Sequence, residues 1–329
     1  INRFGNKKIM LIGMIGLAIS GSISGLVQNN LTLYFALFSL GIFYGFFSLS
    51  RHSFMTQIVP SEYRGKAFSR FGGINRIGWF FGPVAGGYTA GSLGVDIPFY
   101  FISIVSIFTA LIIFFSREPK YESSDNSENN KSRTFKETVA ENKKIFAVGG
   151  SGHFIMQFLR QCRHVLIPIW AFSIGLGVEE LGLIQSISAA IDMTLFYPVG
   201  LIMDKYGRKW TSVPSIILLS SGFIFITYAN SFTGLMIVGL LLGFANGLGS
   251  GAMLTLGSDL SPKNQPGSFL GIWRLFGWSG NSAGGPISGA IAQTVGNTAS
   301  ALSVSMIGGI GVIIFSFFLP ETLKNRSSL

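Results

Sequence analysis

Charge is scarce in this chain. Asp, Glu, Lys and Arg make up 12% of its 329 residues, about half the share of a soluble domain, while 48% are hydrophobic. A soluble fold of that composition would expose large apolar patches and aggregate. Lipid as the solvent removes the difficulty. The single cysteine, Cys162, excludes a disulfide framework and a cysteine-based metal site. No His-Glu-x-x-His, no paired catalytic carboxylates and no phosphate-cradling Gly-rich Lys-Ser/Thr loop occur. That argues against a membrane-embedded enzyme and against an ATP-driven pump. No catalytic residue, metal or resident cofactor is expected. No charged-then-apolar leader is read at the start.

What is present is long apolar runs. About 20 such residues cross a hydrocarbon layer of about 30 Å. Ten spans are read, at 9–27, 32–58, 66–91, 97–116, 145–172, 181–203, 211–229, 232–259, 266–292 and 299–319. They are rich in Leu, Ile, Phe and Gly and helical in character, without the alternation of a β-barrel. The polar stretch from Arg117 to Lys144 separates four spans from six. Its run from Glu122 to Lys131 cannot bury a core and reads as a flexible linker. The expected domains are a bundle over 1–116, a linker over 117–144 and a second bundle over 145–329.

The net charge is +10, which in a soluble protein would suggest nucleic acid. Its placement says otherwise. The loops after spans two, four, six and eight and both chain ends hold most of the Lys and Arg, and the opposite loops hold none. The positive-inside bias makes the basic side cytoplasmic, with the linker and C-terminus there. The expectation is a multi-pass protein of the cell membrane, with the bilayer and not nucleic acid as its partner. Arg70, Arg76, Arg160, Arg163 and Arg274 fall inside spans.

The sequence repeats. At a shift of 202, Asn2-Arg3-Phe4-Gly5-Asn6-Lys7 lies over Asp204-Lys205-Tyr206-Gly207-Arg208-Lys209, Gly41 and Gly45 over Gly243 and Gly247, and Pro60 over Pro262. At 203, Gly82-Pro83 lies over Gly285-Pro286 and Glu118 over Glu321. Parallel repeats about an axis along the membrane normal are a transporter architecture, with substrate bound near mid-membrane. Spans 145–203 lack a first-half counterpart, so two further helices, roughly 60 residues, are expected ahead of Ile1.

The segment Gly200-Leu-Ile-Met-Asp204-Lys205-Tyr206-Gly207-Arg208-Lys209 resembles the cytoplasmic loop motif of the major facilitator superfamily. Gly78-x-x-x-Gly82-Pro83-x-x-Gly86-Gly87 resembles the fifth-helix motif of its drug and proton antiporters, with an echo in Gly284-Gly285-Pro286-x-x-Gly289. Pro320-Glu321-Thr322 also resembles members. The resemblance implies an all-α membrane fold of two pseudo-symmetric bundles, the spans here corresponding to helices three to twelve. Two departures stand out. Asn2 and Asn6 replace an acid and an arginine in the first-half loop. Gly41 stands where an arginine four residues before Gly45 is usual.

Three groups of candidate residues follow. In the loop motif, Asp204 should sit near the helix starting at Pro266, where the helix dipole favours a carboxylate, and Arg208 should pair with Asp259. These map onto Asn6 and Gln57, neutral in both positions, as a real contact would permit. An asymmetric cytoplasmic gate held by the second half is expected. The glycines Gly78, Gly82 and Gly86, and likewise Gly239, Gly243, Gly247 and Gly251, recur every four residues and should let helices approach closely, with Pro83 able to kink its helix. The third group is interior and polar. His153, Gln157, Arg160 and His164 share one helical face, flanked by Arg163. Asn75 and Arg76, Asp192, Asn246 and Arg274 lie at comparable depth. Charges there should face a cavity or a partner. Asp192 is the candidate proton site, and the arginines point to an anionic or acid-bearing substrate. Arg70, nearer the interface, should snorkel.

The expected function is secondary active transport of a small organic solute by alternating access, as proton-coupled efflux, the proton being the coupling ion. Proton-coupled uptake of an organic anion is the alternative. A monomer is expected.

Overall fold

A computed structural model describes residues 5–59, 63–116, 135–262, 266–319 and 321–323. Asn2, Arg3, Phe4, Pro60, Glu118, Pro320 and the polar run after Arg117 lie outside the described residues, as do the side chains of Gln57, Arg70 and Pro266. All regular structure described is helical. The chain forms two compact units, Ile1–Glu128 and Asn129–Leu329, and the boundary falls inside the expected linker.

The first unit contains α1 (Asn6–Leu26), α2 (Asn30–Ile58), α3 (Arg64–Leu93) and α4 (Ile97–Phe115). Helix α1 packs on both α2 and α4, and glycines make this possible. A Cβ on Gly13 would stand 2.8 Å from the Phe47 nitrogen of α2, and one on Gly21 would stand 2.6 Å from Ser103 Oγ of α4. Met10, Met14, Leu17 and Ile113 form the small core between them.

The second unit begins with α5 (Phe135–Glu141) and α6 (Lys143–Ile145), continues through a π-helical turn at Phe146–Gly150 into α7 (Ser151–Ser173), and adds α8 (Val178–Tyr206), α9 (Lys209–Ile226), α10 (Phe232–Leu248), α11 (Ala252–Leu260), α12 (Pro266–Thr294) and α13 (Asn297–Ile313), which ends in a second π-helical turn at Ile314–Phe318. Residues 135–144, assigned to the linker from sequence, are therefore mostly helical, and buried Thr138 and half-buried Val139 lie on the inner side of α5. One continuous apolar core runs through this unit.

The repeat is visible in local geometry. Gly5 and Gly207 both have positive φ just before a helix, as do Gly94 and Gly296. Asn29 caps α2 and Ser231 caps α10 with side-chain oxygens. Lys7 Nζ donates to Phe114 O at 3.0 Å, and Lys209 Nζ donates to Ser316 O at 3.1 Å. Every one of these pairs is separated by the same shift. The two lysines satisfy carbonyls left over at a helix C-terminus, where a cation is favoured.

The outer faces are apolar. Phe101, Ile104, Phe108 and Phe115 of α4 are 62–77% exposed, which suits hydrocarbon and not water. Seven helices among the described residues are long and apolar enough to cross a membrane, α10 and α11 counting as one. Helices α3, α7 and α12 have the length but not the hydropathy. They are the helices that carry Arg70 and Arg76, Arg160 and Arg163, and Arg274.

One expected span is interrupted. The run 232–259 breaks between α10 and α11, where Gly251 adopts φ 77°. The equivalent stretch of α2 is unbroken. Gly251 is thus a hinge in the backbone and not a fourth packing glycine.

Candidate functional site

Two polar groups stand out in the second unit. The first is at its Lys/Arg-rich end. Gly207 turns the chain with φ 108°, so that Arg208 leads into α9. The Arg208 guanidinium is 1% exposed. Its Nε donates to Asp259 Oδ2 at 2.9 Å, and its Nη1 donates to Met203 O at 2.7 Å. Thr322 Oγ1 donates to the same Asp259 oxygen at 2.8 Å. The expected Arg208–Asp259 pair is present. The Asp204 side chain is 73% exposed and lies 3.7 Å from Arg208 Nη1, since the turn at Gly207 brings Arg208 back beside the last turn of α8. Lys205 stacks its ammonium on Tyr206, and no described atom lies within 4 Å of a Cβ placed on Gly200.

Glu321 completes this group, and the sequence marked it by the repeat and by resemblance, without a role. Its Oε1 accepts from Arg208 N at 3.0 Å and from Leu323 N at 3.1 Å, and its Oε2 accepts from Lys209 N at 3.1 Å. The carboxylate thus caps the start of α9. A Cβ on Gly207 would land on it, which explains that motif glycine twice over. Burial works against the charge of Glu321, but the backbone N–H groups of Lys209, Arg208, Leu323 and Thr322 outweigh it and hold the carboxyl below its usual range. The folded-state pKa lies below the unfolded one, so the unfolded chain binds more protons and stability rises with pH. This contribution is present at neutral pH and fades as pH falls below about 4.3 and through the folded-state value. Thermal unfolding of the detergent-solubilised protein should fall more steeply towards pH 3 for the parent than for Glu321→Gln. Identical slopes would exclude the cap.

The second group is interior. Gly239, Gly243 and Gly247 of α10 face Ile184, Ser188 and Asp192 of α8 in register. A Cβ on Gly243 would stand 2.3 Å from Ser188 O, and one on Gly247 would stand 3.2 Å from Asp192 Cα. The close approach predicted for this ladder is found. Within the described residues, no atom lies within 4 Å of a Cβ placed on Gly78, Gly82 or Gly86. Helix α3 packs chiefly on α4 in this unit. Pro83 and Gly87 are half-buried within an α3 that remains continuous.

Between α7, α8 and α10 lie the arginines. Arg163 is 5% exposed. It donates to Ser188 Oγ at 3.3 Å and Leu242 O at 3.4 Å, with His164 Nε2 at 3.5 Å, and Asp192 follows Ser188 by one turn of α8. Arg160 donates to Gln157 Oε1 and to Asn246 O, each at 3.4 Å. It sits against the helix break. A Cβ on Gly249 would stand 2.7 Å from its Nη2. The single face expected of α7 therefore divides. Gln157, Arg160 and His164 are half-buried, whereas His153 and Arg163 are enclosed by protein. His153 Nδ1–H donates to Trp273 O at 3.0 Å, and its ring stacks on Trp273 with centroids 5.2 Å apart. Arg274 and Trp278 are exposed on α12. In the first unit Asn75 and Trp79 are exposed and Arg76 is half-buried.

Two features escaped the sequence reading. Arg51 lies inside α2, its guanidinium 5.0 Å from the Phe47 ring and 4.4 Å from that of Phe71. Its nearness to the span's end grouped it with the loop. Gly280-Asn-Ser-Ala-Gly284 matches the Gly-x-Ser-x-Gly of hydrolases, but it lies within unbroken α12 with Ser282 exposed, not at a strand-to-helix elbow. Gly280 and Gly284 instead admit the α7 backbone, a Cβ on either coming within 2.8 Å of Phe154 O or Phe158 O.

The chain is 24% identical over 221 residues to the Multidrug resistance protein 2 of Bacillus subtilis, covering 64% of this chain and 54% of that protein. It is 25% identical over 284 residues to the class H tetracycline resistance protein of Pasteurella multocida, covering 82% of this chain and 68% of the other. A crystal structure of a POT family transporter in complex with 5-aminolevulinic acid matches with a TM-score of 0.75 at 13% identity, covering 96% of this chain and 82% of that one. The model of the Major Facilitator Superfamily matches residues 1–159 and again 149–329, once for each repeat, and the chain belongs to that family of multi-pass membrane transporters.

Proposed function

We propose that this protein exports a small organic solute in exchange for protons, by alternating access, with its basic end in the cytoplasm. Relatives named for multidrug and tetracycline resistance support export. The observation that carries the coupling is the interior group of the second unit, where Arg163 holds Ser188 one turn of α8 from Asp192 and Arg160 stands at the α10 break. A carboxylate beside a guanidinium in a low-dielectric setting exchanges a proton when the pairing changes. A half-buried guanidinium against freed backbone carbonyls can turn to a ligand. Its fork suits a carboxylate or phosphate, so a solute bearing an acid group is the preferred cargo. Uptake of an organic anion is the second reading, favoured by the same arginines.

Everted membrane vesicles with an imposed pH gradient test direction and coupling together. Solute should accumulate when the lumen is acidified. Asp192→Asn should abolish pH-driven accumulation and leave exchange, a loss of at least about tenfold for one displaced proton-coupled step. Arg160→Ala should raise the apparent KM for solute about tenfold, the loss of one charge-assisted hydrogen bond. Full pH-driven transport in Asp192→Asn ends the proton role, and an unchanged KM returns Arg160 to a structural one.

A further inference from the structure

Helices α1 and α4 of the first unit border a cleft of about 530 Å³ that runs from Leu11 to Leu26 on α1 and from Ile107 to Phe114 on α4. Its walls are apolar apart from Ser22. The rise from Leu11 to Leu26 is about 22 Å, more than the roughly 15 Å hydrocarbon depth of one leaflet.

The repeat indicates what does not cover it. The equivalents of Ile15, Ile23, Leu26 and Leu111 are Ile217, Phe225, Tyr228 and Ile313. All four are exposed, at 41–75%, in a unit with its own six spans. This face is one that the bundle turns to hydrocarbon and not to a further helix.

The basic end of the cleft carries positive charge. Lys7 Nζ donates to Ser116 O at 2.6 Å and to Phe114 O at 3.0 Å, and Phe114 is itself part of the wall. The lysine is therefore fixed at the mouth. Lys8 beside it is exposed. An apolar trough ending at two ammonium groups matches a lipid with a long tail and a net-negative phosphate headgroup.

We propose that this cleft seats an acyl chain of an anionic phospholipid, with its phosphate at Lys7 and Lys8. The phosphate takes the donors that Lys8 offers and the positive field of Lys7, while the chain fills the trough towards Leu26. The site is independent of the transported solute and of its direction.

Native mass spectrometry of the detergent-solubilised protein tests this with phosphatidylglycerol and phosphatidylcholine of identical chains. The parent should retain phosphatidylglycerol over phosphatidylcholine. Lys8→Gln should reduce that preference about fivefold, the strength of one lysine towards anionic lipid. Ile19→Trp, at a position 56% exposed, should fill the trough and remove one retained phosphatidylglycerol without changing the melting temperature. Equal retention of the two lipids by the parent, or an unchanged lipid count in Ile19→Trp, overturns the proposal. So does a dimer that Ile19→Trp abolishes, since a second copy would then be the occupant.

Discussion

Arg208→Asn should lower the unfolding free energy by about 3–5 kcal/mol, because it leaves the Asp259 carboxylate partly buried without its counter-ion. Asp259 is 14% exposed and Arg208 1%, so water cannot take over either charge. The replacement is chosen from the protein itself, since Asn6 occupies the equivalent place in the first half and Gln57 the place of Asp259. The double variant Arg208→Asn with Asp259→Gln therefore rebuilds the neutral version. It should lose less than the two single variants added, with a coupling of about 0.5–3 kcal/mol. Chemical unfolding in detergent micelles measures all four forms. Strict additivity would show that the pair does not act as a unit. The contact joins the loop before α9 to the end of α11, and Glu321 and Thr322 bring in the end of α13. Its first effect is thus on the integrity of the second unit.

Gly243→Ala is the second large effect. The added Cβ would stand 2.3 Å from Ser188 O and 2.9 Å from Ser188 C. Both are backbone atoms, so no side-chain rotation relieves the clash and α8 must move off α10. Overpacking of this kind costs about 1–3 kcal/mol, occasionally more. Here it also stretches Arg163, which holds Ser188 on one helix and Leu242 on the other. Both melting temperature and vesicle transport should fall. The control lies in the same unit. No described atom lies within 4 Å of a Cβ on Gly309 of α13. Gly309→Ala should be neutral or stabilise α13 by up to about 1 kcal/mol. If both variants behave alike, the close approach in the second unit is not what Gly243 is for.

That contrast shows how far sequence could be read. The repeat, the helical class and the Arg208–Asp259 pair were legible because they depend on spacing, composition and a charge beside a complementary charge. Gly243 and Gly309 both stand inside apolar helices of the second unit, and among the described residues only Gly243 meets a backbone. Periodicity states which face a residue occupies and is silent on what stands opposite. The same limit hid the break at Gly251, since a glycine at φ 77° and a glycine in a helix are the same letter at the same interval. Arg163 and His153 were grouped with Gln157 and Arg160 by angle alone. Depth divides them, and depth depends on the neighbouring helices. The repeat and the resemblance marked Glu321 but not its capping role, because its partners are main-chain N–H groups, which have no sequence signature.

The lysine contacts repeated in the two halves carry the point further. Lys7 and Lys209 each grip a carbonyl oxygen, and the residues supplying those oxygens are Phe114 and Ser316. Any amino acid offers that oxygen, so mutation is free to wander at one end of the contact while the other stays fixed. Methods that infer neighbours from correlated substitution would find Arg208 with Asp259 and miss both lysines. A tether of this sort leaves half its record in the genome, and it can outlast the divergence of two duplicated halves unnoticed.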